Sequence, residues 1–413
     1  MPPSPRLTRR AVLSLAVGGV AGGLAACAAQ VVRTVSPLAT PSPSATPGVP
    51  SASPTPAATP GPPAISLAAK VGQMLLVGFR GTDVRSAAAV IADIRRRSLG
   101  GVVLFSSDQP TGSPVRNIVS PRQLAALTAA LQVAAGDSEA GQPLIVSVDE
   151  EGGQVARLDP AHGFAATESA AALGARDDAA YTRAAGARIG ATLRAAGINL
   201  NLAPVVDLDV NPDNPIIGAL DRSFGADPAL VTRQARAFIR GHHDRGVRTT
   251  LKHFPGHGSS TADSHLGVVD VSQTWRPIEL QPYRRLVPSG LVDAILTAHV
   301  FNAQLDGQHP ATLSKPTIDG LLRGQIGYDG LVISDDMQMG AIRQQYGYAD
   351  AVRLAILAGV DILTIANQQV FEPDIVASTV EIIVGLVDDG TIPESRIDDS
   401  WRRITALKAR LAG

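Results

Sequence analysis

From Leu67 onward, short apolar runs rich in Val, Ile and Leu alternate with longer Ala- and Arg-rich segments of helical period. Buried strands alternating with amphipathic crossovers are the pattern of a parallel sheet covered by helices. The runs are Leu75 to Phe79, Gly101 to Phe105, Leu144 to Asp149, Asn199 to Asp207, Thr249 to Phe254, Ala294 to His299, Leu331 to Asp335 and Asp361 to Ile365. Eight of them predict an α/β fold, a (β/α)8 barrel of TIM type carrying insertions. A doubly wound open sheet is the alternative, and it would want a glycine-rich phosphate turn after its first strand. Leu76-Val77-Gly78-Phe79-Arg80-Gly81 has two glycines without that fingerprint.

Polar residues close several of these runs: Asp149, Asp207, Lys252-His253, His299 and Asp335 each fall at or near a C-terminal strand end. In a barrel those ends converge on the face where active sites are built. A lone charge there could cap a loop; five such strands of eight point to one site.

Three segments carry the chemistry. Ser334-Asp335-Asp336 follows Leu331-Val332-Ile333, so a carboxylate leaves a buried strand at the mouth, placed as nucleophile or charge stabiliser; the second aspartate suits a helix cap. Lys252-His253-Phe254-Pro255-Gly256-His257-Gly258 opens a loop that ends in Asp263-Ser264-His265. His253 and His257 have a ligand-like separation, but Pro255 and Gly256 prevent a helix from presenting both, which argues against zinc. Asp263 and His265 suit acid–base work instead, since a carboxylate fixes the tautomer of an imidazole whose other nitrogen exchanges protons. Asp149-Glu150-Glu151-Gly152-Gly153-Gln154-Val155-Ala156-Arg157 sets carboxylates and an arginine around a tight turn. Carboxylates that accept from vicinal hydroxyls, beside cations that donate, are what a sugar ring demands. A solvated acidic loop is the plainer reading of that segment.

The N-terminus adds an address. Arg6, Arg9 and Arg10 precede an uncharged Ala11 to Ala26, ending Leu24-Ala25-Ala26-Cys27. This reads as a signal peptide over 1–26, with a run too short for a permanent span. Leu24-Ala25-Ala26-Cys27 resembles the bacterial lipobox, which implies lipidation at Cys27; Thr8-Arg9-Arg10 resembles a twin-arginine export signal. Residues 27–64 hold ten prolines between Pro37 and Pro63 and one charge, Arg33, the composition of an extended linker. The expected location is therefore outside the cell, lipid-anchored to the outer face of the cytoplasmic membrane.

Composition narrows the rest. The chain is 45% apolar with a formal charge of −1, which supports a large core and gives no basic stripe for nucleic acid. One cysteine excludes an internal disulfide and a Cys-rich metal site.

Together these segments resemble glycoside hydrolase family 3, in its bacterial β-N-acetylhexosaminidase branch acting on peptidoglycan fragments. The carriers are Val148 to Arg157, Ala203-Pro204-Val205-Val206-Asp207, Asp221-Arg222-Ser223-Phe224-Gly225, Lys252 to His265 and Ile333 to Met337. The likeness covers about 65–413, and with the chain ending soon after Trp401, one folded domain is expected. It implies a retaining mechanism with Asp335 as nucleophile and His265, oriented by Asp263, as acid and then base. It also implies that Asp149, Arg157, Arg222, Lys252 and His253 grip a terminal N-acetylglucosamine, with no metal or organic cofactor. Two departures stand out: Ser259-Ser260 where the family often has Asp-Thr, and a longer spacing from Gly218 to Arg222.

Two other functions fit parts of this pattern. An imidazole acid does not repel phosphate, so a phosphorylase could use the same site. A tethered lipoprotein could bind muropeptides without catalysis, but a binder needs neither Asp335 nor His265.

Overall fold

The computed structural model describes residues 65–411. The expected signal peptide, Cys27 and the linker lie outside the described residues, so the lipidation reading has no structural counterpart here. Among the described residues, no helix is long and apolar enough to cross a membrane.

Eight parallel strands close into a barrel: β1 Leu75–Gly78, β2 Gly101–Leu104, β3 Ile145–Val148, β4 Leu200–Asn201, β5 Arg248–Phe254, β6 Ala294–Thr297, β7 Leu331–Asp336 and β8 Ile362–Ile365. Each pairs with its sequence neighbours, and β8 pairs back with β1 through Leu75 opposite Leu363. β1, β2, β3, β6 and β8 are buried at every position, as expected when a sheet has side chains packed on its inside and helices on its outside. The barrel predicted from the eight apolar runs is the fold observed.

The fourth strand differs from its expected extent, Asn199 to Asp207. A regular ladder survives at Leu200–Asn201, because Pro204 has no N–H to donate. Beyond it the chain still runs beside β5, through Thr250 N–H to Ala203 O at 3.0 Å and Val206 N–H to Lys252 O at 2.8 Å. That irregular stretch delivers Asp207 to the interior beneath the mouth.

Helices cover the outside. α1 Leu67–Gln73 precedes the barrel; α2 Ala88–Arg97 and α3 Pro121–Gly136 follow the first two strands. α4 Ala170–Arg176 and α5 Ala179–Ala195 follow β3, and α6 Pro228–His243 follows β4. α7 Gln281–Leu286 and a π-helix over Pro316–Gln325 come after β5 and β6, then α8 Gly340–Arg343, α9 Tyr348–Ala358, α10 Ile375–Asp388 and α11 Glu394–Lys408. Sequence punctuation sets their starts. Ser120 and Gln123 form a reciprocal capping box on α3, and Asp178 and Asp227 cap the first turns of α5 and α6.

Candidate active site

A cleft of about 500 Å³ opens at the C-terminal ends of the strands. Asp149, Arg157, Arg222, Lys252, His253, Asp263, His265 and Asp335 all line it, so every site residue expected within the described chain comes to one place.

One wall is a buried ion-pair network. Asp149 stands directly after β3, and the chain then turns into a short hairpin, Glu150–Gly152 against Val155–Ala156. Gly152 (φ 95°) and Gly153 (φ 63°) make the turn in the left-handed region, which a side chain would strain. The hairpin turns Glu151 inward. Glu151 accepts from Arg222 Nε and Nη2, both at 2.8 Å, and from Lys252 Nζ at 2.6 Å, while Lys252 also reaches Asp149 at 2.5 Å. Burial alone would raise the Glu151 carboxyl, but the two cations outweigh it and hold it far below the ordinary range. Burial likewise works against the charge on Lys252, and Asp149 and Glu151 restore it, so its pKa lies above the usual lysine value. Arg157 completes this wall with a buried Nε that has no hydrogen-bond partner among the described residues.

A second cluster aims the imidazoles. Asp207, fully enclosed, accepts from the His253 ring Nδ1 at 2.7 Å and from the backbone N–H groups of His253 and His257 at 3.2 and 2.8 Å. The other ring nitrogen of His253 lies 3.4 Å from Arg222 Nη2 and so faces the cleft side of the network. His257 is buried and pushed down to about 4, hence neutral, between Ser260 Oγ at 2.7 Å and Ser264 Oγ at 3.2 Å. Both nitrogens of His257 are therefore occupied by hydroxyls. Among the described residues, no group of three or more His, Cys, Asp or Glu side chains is placed to hold a metal ion.

The two remaining groups are those expected to react. Asp335 sits near the end of β7, and Asp336 behind it accepts from the backbone N–H groups of Gln338 and Ala366; it ties two loop backbones together and caps no helix as expected, since α8 starts at Gly340 with Met339 as its N-cap. Burial pushes Asp336 up to about 6. Burial acts on Asp335 too, but His299, His253, His265 and the Asp336 N–H pull the other way, so its carboxyl stays below the ordinary value. Asp335 is thus the more readily ionised member of the pair. Across the cleft, the His265 ring Nδ1 lies 2.7 Å from Asp263 Oδ1, and the same oxygen accepts the His265 backbone N–H at 2.8 Å. With Nδ1–H donating to Asp263, Nε2 is left free to exchange a proton.

Sequence reasoning missed Glu151 as the hub of the cationic wall. No local motif marked it: the two cations that require an internal anion lie far along the chain and meet only in the folded barrel. Gln368 and Gln369, which follow β8 and line the cleft, carried no signal beyond their polarity.

A parallel barrel whose one cleft holds a carboxylate and an imidazole–carboxylate dyad fits an enzyme of the glycoside hydrolase class. The chain belongs to glycoside hydrolase family 3: residues 66–407 match the family described as Glycosyl hydrolase family 3 N terminal domain. A beta-hexosaminidase from Tolumonas auensis is 37% identical over 325 residues, covering 76% of this chain and 88% of that one. Beta-hexosaminidase LpqI from Mycobacterium tuberculosis is 36% identical over 380 residues, 89% of each chain. A family 3 beta-N-acetylglucosaminidase from Paenibacillus sp. superposes with a TM-score of 0.77 at 38% identity, covering 84% of this chain. This chain spans 63% of the length of that Paenibacillus enzyme.

Proposed function

We propose that the protein is a retaining exo-β-N-acetylhexosaminidase that releases terminal N-acetylglucosamine from peptidoglycan-derived fragments. One observation carries the reading: a single cleft holds ionised Asp335 and an imidazole whose Nδ1 is taken by Asp263. The names of the relatives, beta-hexosaminidases and a beta-N-acetylglucosaminidase, support the sugar. In the first step an Asp335 oxygen forms a bond to the anomeric carbon. The bond from that carbon to the leaving oxygen breaks, and His265 Nε2 delivers its proton to the departing alcohol. In the second step His265 removes a proton from water, the water oxygen attacks the same carbon, and Asp335 leaves as a carboxylate. Configuration is retained by two inversions. Asp149, Arg157, Arg222, Lys252 and His253 hold the sugar's hydroxyl and amide groups. Export and a lipid anchor at Cys27 would place this activity outside the cytoplasmic membrane.

The test pairs a chromogenic N-acetyl-β-glucosaminide with the matching glucoside in phosphate buffer. Preferential cleavage of the first, yielding the free sugar, fits the proposal. Accumulation of a sugar 1-phosphate would make the enzyme a phosphorylase, and an inert protein that binds the fragments would make it a receptor. Asp335→Asn should abolish turnover while leaving the fold intact, and a slow fluorinated substrate should leave its sugar on Asp335 by intact-mass and peptide analysis. A label recovered on Asp336 overturns the nucleophile assignment.

A further inference from the structure

The helices that follow β3 and β4 carry a charged feature that the sugar chemistry does not use. α5 and α6 pack so closely that a Cβ on Gly241 would stand 2.3 Å from the Arg183 carbonyl oxygen. Beside this contact lies an open groove of about 540 Å³, lined by alanines and by Arg183, Arg233, Arg236, Arg240 and Arg285. Arg183 is engaged by Asp244 at 2.8 Å and Arg233 by Asp177 at 2.6 Å. Arg236, Arg240 and Arg285 have no carboxylate within ion-pair distance among the described residues; Arg236 donates to the Arg285 carbonyl oxygen at 3.4 Å. The whole chain has a formal charge of −1, so this local excess is not a reflection of composition. Arginines at 233, 236 and 240 share one face of α6, and like charges at such spacings weaken a helix unless an anion answers them.

We propose that this groove binds a linear phosphodiester polymer. Guanidinium groups match phosphate oxygens with two parallel donors, and the three unpaired ones are spread over α6 and α7, which suits successive phosphates better than one. Among the described residues, no aromatic side chain lines the groove to stack a nucleobase, and no large apolar side chain lines it to enter a bilayer. The first turns of α5 and α6 lie toward the barrel face that carries the cleft, because crossover helices run back from that face. A polymer seated there holds the enzyme beside its substrate.

The test titrates the full chain with labelled poly(glycerol phosphate). Saturable binding is expected, weakening about 20-fold between about 50 and about 200 mM salt if three phosphates are neutralised. R236Q/R240Q/R285Q should bind at least about tenfold more weakly, with unchanged melting temperature and unchanged hydrolysis of a chromogenic glycoside. A control of the same charge, R95Q/R122Q/R402Q, should bind as the unmodified chain does. Absence of saturable binding, or equal loss in the control, overturns the proposal. So does a preference for anionic vesicles or for a single-stranded oligonucleotide over the soluble polymer.

Discussion

The two walls of the cleft are built differently. The β3–β5 wall is an interlocked set in which Glu151 and Lys252 are nearly sealed from water and Arg222 almost so, with side-chain exposures of 3%, 3% and 10%. The opposite wall presents His265, whose side chain is 51% exposed and held to Asp263 by contacts two residues apart. Its segment is anchored by backbone oxygens: Gly340 N–H and Gln369 Nε2 each reach the His265 carbonyl at 3.2 Å. Groups that hold a substrate gain from rigid, dry placement, since they then spend no reorganisation on binding. A group that must give and take a proton twice needs an approach for water, and exposure supplies it.

That difference predicts where damage should spread. Glu151→Ala should produce the largest effect, because it leaves Arg222 buried without its carboxylate and Lys252 with Asp149 alone. Breaking a buried pair in this way costs about 3–5 kcal/mol. Urea unfolding should show the loss, and activity should fall with it. If the variant unfolds at the same urea concentration as the unmodified chain, the wall is not the rigid element described.

On the other wall the same measurement should be silent. His265→Ala should leave stability within about 0.5 kcal/mol, as expected for an exposed side chain. Turnover of substrates with poor leaving groups should fall roughly 10²- to 10⁴-fold, while activated aryl glycosides are largely spared. Equal losses on both substrates would remove the acid role from His265.

The hairpin that carries Glu151 also has a pH signature, at a side chain that does not line the cleft. Burial pushes Glu150 up to about 7, with the Leu158 N–H bond to its carboxylate opposing the shift. Its folded pKa lies above the unfolded value, so its contribution to stability is complete below about pH 4.5 and is lost as pH rises through about 7. Unfolding measured at pH 5 and pH 8 should show that loss. Glu150→Gln should reduce it by up to about 3 kcal/mol. An identical difference in the variant would place the titration elsewhere, with Glu279, also raised to about 7 by burial, as the next group to test.

The contrast also explains what could be read from the chain. Strands of a closed barrel are buried on both sides, so their apolar runs stand out, and all eight were found within a few residues except where Pro204 interrupts the fourth. Asp335 and the Asp263–His265 dyad were legible because each is local: one closes a strand, and the other is a contact between near neighbours in sequence. Glu151 was not, since its partners Arg222 and Lys252 lie far along the chain and the barrel alone brings them together. For the same reason the long spacing before Arg222 misled little. Arg222 is fixed through its bond to the Ile216 carbonyl at 2.8 Å and its fork onto Glu151, neither of which depends on a tight local motif.

The smallest effect should come from Asp263. Its carboxylate is 26% exposed, so water screens its pull on the His265 ring and takes up part of its orienting work once it is removed. Asp263→Ala should therefore slow glycosides with poor leaving groups by about tenfold, less than His265→Ala does, and again spare activated aryl substrates. The carboxylate also accepts the His265 backbone N–H, so the variant loses a local tie together with the tautomer control. Asp263→Asn separates the two: its amide oxygen can keep the backbone bond while the charge is gone. If Asn restores most of the rate, Asp263 acts chiefly as a brace for the loop. If Asn is as slow as Ala, the carboxylate's charge beside the imidazole is what matters, and the exposed wall depends on electrostatics after all.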